Sequence, residues 1–206
     1  MITSPKILIL DEHAMIRKGI RLTIETTFGI KSIEEVSSCA ALLKLLKQED
    51  FTHLLLDLLV SDGNTLEIIP AIKKLYPRLR ILIFTMQPPE VYAPVLKQYG
   101  LNEYLHKEAN EDITIATLRN FLQGDPKNER SVNYESTALN PFSKLTPREF
   151  EVLHYVLKGI GTKQISDTLN LQMSTVSTLK NRIFEKTGTG NIKELIDTAL
   201  IYNICS

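Results

Sequence analysis

The chain has no tryptophan, only two cysteines and no long apolar run. Because a transmembrane helix needs about 20 apolar residues, we expect no membrane span, and we expect no secretory leader either. Cys39 and Cys205 are too few for a disulfide framework, which predicts free thiols in a reducing cytoplasm. The 24 basic and 24 acidic side chains cancel, so no overall charge draws the chain to nucleic acid or to a membrane.

Short apolar segments alternate with amphipathic helical segments over the first ~120 residues. The spacing predicts strands at 6–10, 32–36, 53–56, 80–84 and 104–106, and helices at 14–28, 40–47, 66–76, 90–99 and 111–121. Five strands alternating with five helices predict an α/β fold, a doubly wound parallel sheet. Functional groups in such sheets lie at the carboxyl ends of the strands.

Polar side chains occur where four of these predicted strands end. They are Asp11 with Glu12, Asp57, Thr85 and Lys107. Singly, each has an ordinary explanation as a helix cap, a turn residue or a solvated charge. Together they predict a site in which a hard divalent cation such as Mg²⁺ relieves the repulsion between carboxylates. An aspartate beside that cation can act as a nucleophile toward a phosphoryl group, with the hydroxyl and the ammonium holding its oxygens.

The last third of the chain predicts a small all-α domain. Thr146, Pro147 and Glu149 form a capping box with proline at the first helical position. A second helix is expected at 163–169, capped by Thr162, and a third from Ser174 to about Lys186. This order is typical of a helix-turn-helix, whose second helix enters the major groove of DNA. A helical bundle without a nucleic-acid partner is the alternative.

Both halves carry motifs of one known family. The C-terminal LTPREFEVL, KGIGTKQISDTL and STVSTLKNRIFEKTG resemble the LuxR-type DNA-binding domain of NarL/FixJ response regulators. The N-terminal ILILDEH, HLLLDL, ILIFT and EYLHK resemble the flavodoxin-like receiver domain of response regulators. The resemblance implies a receiver domain at 1–122, a polar linker at 123–142 and a DNA-binding domain at 143–206.

The resemblance also implies roles for the strand-end residues. Asp57 matches the phosphoacceptor, which a sensor histidine kinase would phosphorylate in the presence of Mg²⁺. The metal ligands implied are Asp11, Glu12, Asp57 and the backbone carbonyl of Leu59. Thr85 and Lys107 match the switch hydroxyl and the phosphate-binding lysine, and Tyr104 matches the aromatic that turns inward on activation.

Three features depart from the family pattern. The loop after the phosphoacceptor reads Leu58-Leu59-Val60-Ser61-Asp62-Gly63, without the usual proline and two residues shorter, which predicts altered metal geometry. Met86 follows Thr85 where a small residue is usual, and it is expected to cover the acceptor. Pro88, Pro89 and Pro94 predict a reshaped fourth helix. A degenerate receiver that acts without phosphate is the alternative.

The resemblance also implies DNA contacts on the third predicted helix. By family position, Ser177, Thr178 and Asn181 would face base edges. Phosphate contacts would come from Lys180 and Arg182, and further candidates are Thr175 and, in the preceding helix, Lys163. Residues 143–206 carry eight basic and six acidic side chains, and this net charge of +2 favours binding as a dimer. Asn191 is expected to cap a last helix that carries an apolar stripe. The resemblance implies that this helix pairs two DNA-binding domains, through Ile192, Leu195, Ile196 and Ala199.

Three classes of function remain open at this point. The first is a phosphorylation-controlled transcription regulator. The second is a LuxR-type regulator that senses a small molecule, although the carboxylates at the strand ends fit an apolar ligand pocket poorly. The third is a phosphatase with Asp57 as its nucleophile. Leu59 stands where a second general acid would follow in a D-x-D spacing, so we expect no enzyme.

Overall fold

The structure, a computed structural model, describes residues 4–123 and 140–204. Contacts divide the chain into two compact units. The first unit contains the sheet, and the second contains the C-terminal helices together with residues 87–100. The predicted linker at 123–142 falls mostly outside the described residues, as does Cys205, so the domain boundaries stay a prediction.

A five-stranded parallel sheet forms the first unit, as the sequence predicts. Its strands are β1 (Ile7–Leu10), β2 (Ile33–Val36), β3 (His53–Leu56), β6 (Arg80–Thr85) and β7 (Tyr104–His106). They lie in the order β2-β1-β3-β6-β7, and every neighbouring pair is parallel. All four residues of β1 and of β3 are buried, as expected of strands covered on both faces.

Four helices of this unit connect and cover the strands. They are α1 (Ala14–Phe28), α2 (Cys39–Gln48), α3 (Ile69–Leu75) and α5 (Glu111–Gln123). Helix α1 ends at Gly29, whose φ of 70° places it in the left-handed region that favours glycine. One core cluster includes Ile24 from α1, Leu55 from β3, Leu82 from β6 and Phe121 from α5. Helix α2 begins at the buried, free Cys39, and burial raises the pKa of its thiol to about 12.

The loop after β3 contains a hairpin that the sequence did not reveal. Strand β4 (Leu59–Val60) pairs antiparallel with β5 (Gly63–Asn64). Asp62 at its tip accepts hydrogen bonds from the backbone N–H groups of Cys39 (2.8 Å) and Ala40 (3.0 Å). The hairpin therefore supplies part of the N-terminal cap of α2.

Four helices form most of the second unit: α6 (Pro147–Leu157), α7 (Thr162–Thr168), α8 (Met173–Thr187) and α9 (Ile192–Ile201). The predicted capping box is confirmed. The Glu149 amide donates to Thr146 Oγ1 (3.3 Å), and the Thr146 amide donates to Glu149 Oε2 (2.8 Å). Asn191 caps α9 as predicted, because its Oδ1 accepts from the Glu194 amide at 3.0 Å.

Two predicted caps in this unit are wrong. Helix α7 has Gly161 at its N-cap, and Thr162 is already its first helical residue. Helix α8 begins at Met173 after Gln172, so Ser174 lies inside the first turn. Neither N-cap residue, Gly161 or Gln172, makes a side-chain cap hydrogen bond. Thr162 and Ser174 cannot act as caps, because a cap residue has extended backbone and both lie inside their helices.

Helix α4 (Pro89–Gln98) belongs to the second unit. It packs against α6, with the rings of Tyr92 and Phe150 in an edge contact at 4.8 Å. The hydroxyl of Tyr99 lies 3.1 Å from Glu151 Oε1, and burial together with that carboxylate raises the pKa of Tyr99. The helix continues through Pro94. The sequence had placed this segment in the receiver, with a reshaped surface.

Candidate functional site

The strand-end residues come together at one edge of the sheet. Asp11 follows β1, Asp57 follows β3, Thr85 ends β6 and Lys107 follows β7. Asp11 is 0% exposed, Thr85 is 1% exposed and Asp57 is 4% exposed. In a parallel sheet all the carboxyl ends meet at the same edge, which is why residues 96 positions apart share one site.

Lys107 lies between the two aspartates. Its Nζ is 2.5 Å from Asp57 Oδ2 and 2.6 Å from Asp11 Oδ2, and its side chain is 3% exposed. Burial raises the pKa of Asp57, and the nearby Asp11 adds to the rise. Hydrogen bonds from Lys107 and Thr85 oppose this rise without cancelling it. The site therefore holds a carboxylate whose negative charge is only partly compensated.

The residues that could hold a divalent cation differ in part from those predicted. Ligand atoms of Asp11, His13 and Asp57 all lie within 4.8 Å of one another. Asp11 Oδ2 is buried and is paired with Lys107 Nζ at 2.6 Å, and the same ammonium faces Asp57. Two buried carboxylates that share one ammonium fit a hard cation such as Mg²⁺.

The other two predicted ligands are placed differently. Glu12 is exposed, and the group of ligand atoms around Asp57 does not include it. Leu59 lies in β4 of the hairpin, so its carbonyl ligand role stays a prediction. Sequence reasoning missed His13, although it stands only two positions after Asp11 in ILILDEH.

The backbone of the acceptor loop is fixed from one side. The hydroxyl of Thr65 donates to the carbonyl oxygens of Asp57 (2.9 Å) and Leu58 (3.0 Å), and the Thr65 amide also donates to Leu58. Thr65 is wholly buried. These hydrogen bonds fix the backbone at Asp57, while the Asp57 carboxylate pairs with Lys107.

The predicted switch residues occupy two neighbouring strands. Tyr104 on β7 is 3% exposed, so its ring already lies inside the protein. Met86 is 49% exposed. Its carbonyl accepts a hydrogen bond of 2.9 Å from His106 Nε2, which ties the end of β6 to β7. The roles of Thr85, Lys107 and Tyr104 as switch and phosphate-binding residues stay a prediction.

In the second unit, α8 presents a polar face to solvent. Exposed residues among the predicted DNA contacts are Lys163 on α7 and Thr175, Ser177, Thr178, Asn181 and Arg182 on α8. Lys180 is half-buried, with Nζ 3.4 Å from Thr162 Oγ1. The opposite face of α8 is buried through Val176, Leu179 and Ile183. One face of α8 is therefore packed in the domain core, and the opposite face is exposed to solvent.

An ion pair anchors α8 to α6. Lys186 Nζ donates to Glu149 Oε2 at 2.6 Å, the same carboxylate that closes the capping box. Burial alone would raise the pKa of Glu149, but hydrogen bonds from Lys186 and Thr146 outweigh it and lower the pKa. This pair has a structural role, because it joins the start of α6 to the end of α8.

The predicted pairing surface on α9 needs a correction. Leu195 and Ala199 are 1% and 0% exposed, because they pack inside their own domain. A buried side chain cannot meet a second copy. Ile192 is 43% exposed and Ile196 is half-buried, and the exposed Leu200 and Ile201 extend the same helix. Sequence periodicity identifies an apolar stripe but does not divide it between core and surface.

Two family models match the chain over its two halves. Residues 7–119 match the response regulator receiver domain, and residues 143–199 match the bacterial regulatory proteins of the luxR family. Among the described residues, no helix is both long and apolar enough to cross a membrane.

Similar proteins share the whole arrangement. BvgA of Bordetella pertussis, named as a transcription regulator of virulence factors, is 30% identical over 97% of this chain and 98% of its own. The nitrate/nitrite response regulator NarP of Escherichia coli is 24% identical over 96% of this chain and 94% of its own. A structure of two RcsB dimers bound to DNA matches with a TM-score of 0.78 and 25% identity, covering 94% of this chain and 98% of that one. With both family models and a strand-end site of two aspartates, a threonine and a lysine, this chain belongs to the NarL/FixJ family of two-component response regulators.

Proposed function

We propose that this protein is a transcription regulator whose DNA binding is controlled by phosphorylation of Asp57. The observation that supports the proposal is the environment of Asp57 at the carboxyl edge of the sheet. Lys107 Nζ lies 2.5 Å from Asp57 Oδ2, and Thr85 is hydrogen-bonded to the same carboxylate group. A sensor histidine kinase would be the phosphoryl donor and double-stranded DNA the target. We infer from these partners that the protein acts in the bacterial cytoplasm.

In the proposed transfer, a carboxylate oxygen of Asp57 attacks the phosphorus of a phosphohistidine. The new bond is O–P, the bond that breaks is N–P, and the imidazole leaves with its electron pair. Lys107, already between the two carboxylates, then pairs with a phosphoryl oxygen, and the Thr85 hydroxyl donates to another. Asp11 and Asp57 would hold the Mg²⁺, which when bound neutralises charge on the transferring group. Glu12 and the Leu59 carbonyl are further proposed ligands.

The first test is the intact mass of the full chain after incubation with Mg²⁺ and acetyl phosphate. We expect one phosphoryl adduct on the wild type and none on Asp57→Asn, because the variant lacks the nucleophilic oxygen. Asp50→Asn is the matched control, since Asp50 is exposed and precedes β3, whereas Asp57 follows the carboxyl end of that strand. An adduct on Asp57→Asn would contradict the assignment of the acceptor. No adduct on folded wild type, even with a histidine kinase, would favour the alternative of a phosphate-independent regulator.

The proposed DNA reader is the exposed face of α8. Asn181 would contact base edges and Arg182 would contact phosphate, since both are exposed on the helix that follows α7. Because residues 143–206 carry a net charge of only +2, we infer that two copies bind together. Ile192 and Ile196 with their exposed neighbours on α9 are the proposed contact between copies.

The DNA test uses a site selected from random DNA by the wild-type protein. Asn181→Ala should weaken binding by about 1–3 kcal/mol and relax sequence preference at one position. Arg182→Ala should weaken binding to all sequences alike. It should also reduce the slope of the logarithm of the binding constant against the logarithm of the salt concentration by about one. Lys158→Ala, at an exposed residue that follows the last residue of α6 and loses the same charge, is the control. Equal effects of Lys158→Ala and Arg182→Ala would contradict the placement of the interface on α8.

A further inference from the structure

Arg17, in the first turn of α1, connects the strand-end site to the edge strand β2. Its Nη1 donates to the backbone carbonyl of Asp11 at 2.7 Å, and its Nε donates to Glu35 Oε2 on β2 at 3.3 Å. The Arg17 side chain is only 16% exposed. Because the guanidinium is planar and its donors point in fixed directions, two acceptors together define its orientation.

A second arginine shows what the ion pair alone requires. Arg21, one turn later on α1, donates through Nη1 to Glu35 Oε1 at 3.1 Å and through Nε to Glu25 Oε1 at 2.9 Å. Both arginines therefore pair with the carboxylate of Glu35. Of the two, only Arg17 is hydrogen-bonded to Asp11 in the described part of the chain. The bond to the Asp11 carbonyl is an addition to the ion pair, so pairing with Glu35 does not explain it.

The bond from Arg17 is one of three that fix the Asp11 segment. The Asp11 amide donates to the Val36 carbonyl at 3.2 Å, and Asp11 Oδ1 accepts from the His13 amide at 2.9 Å. At 2.7 Å the Arg17 bond is the shortest of the three, as expected of a charged donor. Arg17 therefore restrains the carbonyl of Asp11, while the other two bonds restrain its amide and its side chain.

The position of Asp11 determines in turn where the Lys107 ammonium lies. Asp11 Oδ2 pairs with Lys107 Nζ at 2.6 Å, and the same ammonium pairs with Asp57 Oδ2 at 2.5 Å. The Asp11 and Lys107 side chains are 0% and 3% exposed, so little water competes for either group. A shift of the Asp11 backbone would therefore move the ammonium relative to the acceptor carboxylate. A misplacement of about 1 Å in a reacting site can cost on the order of 100-fold in rate.

We propose that Arg17 is a positioning residue that sets the rate at which Asp57 takes up a phosphoryl group. It acts through the Asp11 carbonyl and Lys107, and the described contacts include none between Arg17 and Asp57. The inference rests on the proposed function, in which Asp57 is the acceptor. It gives the start of α1 and the edge strand β2 a role in the transfer.

The first measurement is the rate of adduct formation on the full chain, by intact mass, over a series of acetyl phosphate concentrations with Mg²⁺. Arg17→Ala should lower the rate constant at saturating acetyl phosphate about tenfold, the lower end of the loss usually found when a group that orients a site residue is removed. The apparent Michaelis constant for acetyl phosphate should stay unchanged, because Arg17 does not contact the acceptor carboxylate. Arg21→Ala is the matched control, since it removes a guanidinium from the same Glu35 carboxylate, and it should leave both values at the wild-type level.

A variant that keeps the ion pair separates positioning from stability. Arg17→Lys retains a charge beside Glu35 but replaces the planar fork by a single ammonium, which cannot hold both acceptors in the same geometry. It should therefore fold like the wild type and still be phosphorylated slowly. Urea unfolding of each variant shows whether the chain is fully folded under the assay conditions. A wild-type rate in Arg17→Lys would show that the ion pair suffices and would overturn the proposal.

A spectroscopic readout needs no phosphoryl donor. In ¹⁵N spectra of the full chain, the resonance of the Lys107 ammonium should shift in Arg17→Ala and keep its wild-type position in Arg21→Ala. Equal phosphorylation rates for the two alanine variants, or a slow Arg17→Ala with an unmoved Lys107 resonance, would each overturn the proposal. A wild type that forms no adduct would contradict the proposed function instead, whereas an adduct that forms equally fast in wild type and Arg17→Ala would contradict only the role of Arg17.

Discussion

At the scale of single residues, Asp57 combines burial with an incompletely balanced charge. Its folded pKa is raised, so the folded state holds a proton more tightly than the unfolded state does. For a carboxyl group this means that stability is lost as pH rises from the unfolded pKa near 3.8 through the raised folded pKa. At neutral pH, the ionised Asp57 therefore opposes folding.

Replacing Asp57 by asparagine should raise the free energy of unfolding at pH 7, because the variant has no buried carboxylate to ionise. The gain should shrink as pH falls through the raised folded pKa and should vanish below the unfolded pKa near 3.8. Urea unfolding in metal-free buffer, followed by circular dichroism, measures both. Mg²⁺ should stabilise the wild type but not the variant. Asp50→Asn serves again as the control, and a loss of stability at pH 7 in Asp57→Asn would contradict this account.

The sequence predicted four of the site residues because strand geometry alone brings them together. Asp11, Asp57, Thr85 and Lys107 each stand at the end of an apolar run, and parallel strands bring such ends to one edge. His13 could not be assigned in this way, because its position depends on the turn between β1 and α1. The sequence also could not show which apolar residues of α9 are buried and which are exposed, because Leu195 and Ile196 belong to one apolar stripe.

At the scale of elements, long periodic segments were predictable and short ones were not. The strands β1 and β3 and the helix α1 fall where the apolar pattern places them. The hairpin of β4 and β5 has two residues in each strand, too few to show a period of two. The position of the hairpin depends instead on contacts with residues distant in sequence, such as the hydrogen bond from the Cys39 amide at the start of α2 to Asp62.

Removing the Asp62 carboxylate should destabilise the protein by about 1 kcal/mol, the usual cost of an N-terminal cap. Asp62 accepts from two amides of α2, while Ser38 satisfies a third, that of Ala41 at 3.2 Å. Burial is the largest single effect and raises the pKa of Asp62, but the hydrogen bonds from the amides of Ala40 and Cys39 together outweigh it and lower the pKa. The contribution of Asp62 is therefore present above the unfolded pKa near 3.8 and is lost as pH falls below it.

The comparison for this prediction is between Asp62→Ala and Ser61→Ala, since Ser61 is an exposed neighbour in the same hairpin. Thermal unfolding at pH 7 should show a lower midpoint for Asp62→Ala and an unchanged one for Ser61→Ala. The two variants should converge near pH 3. Equal midpoints at pH 7 would show that the hairpin does not support α2.

At the scale of the whole molecule, the sequence indicated two domains, but it could not show which elements each compact unit contains. Helix α4 has the amphipathic spacing of a receiver helix, yet it belongs to the second unit through Tyr92 and Tyr99. Spacing along one helix shows which face is apolar and not which neighbour covers it. Membership of a unit is therefore a tertiary property, and the contacts of α4 with α6 decide it.

Each unit also contains a histidine with a lowered pKa, the buried His53 in β3 and the half-buried His154 in α6. Burial lowers the pKa of both to about 4, with Arg80 adding to the effect at His53 and Lys158 at His154. The unfolded imidazoles take up protons near pH 6.5, so the unfolded state binds more protons between pH 4 and 6.5. Stability should thus be complete above pH 6.5 and fall toward pH 4, by at most about 1.4 kcal/mol per pH unit for each histidine.

Calorimetry of the full chain between pH 4.5 and 7.5 should show this fall, and single variants should assign it. His53→Gln should flatten the pH dependence of the first unit alone, because it removes the group that must be protonated on unfolding. His154→Gln should do the same for the second unit alone. If either variant keeps the wild-type profile, that histidine is not the source of the acid sensitivity. If one variant flattens both transitions, the two units unfold as a single cooperative body rather than independently.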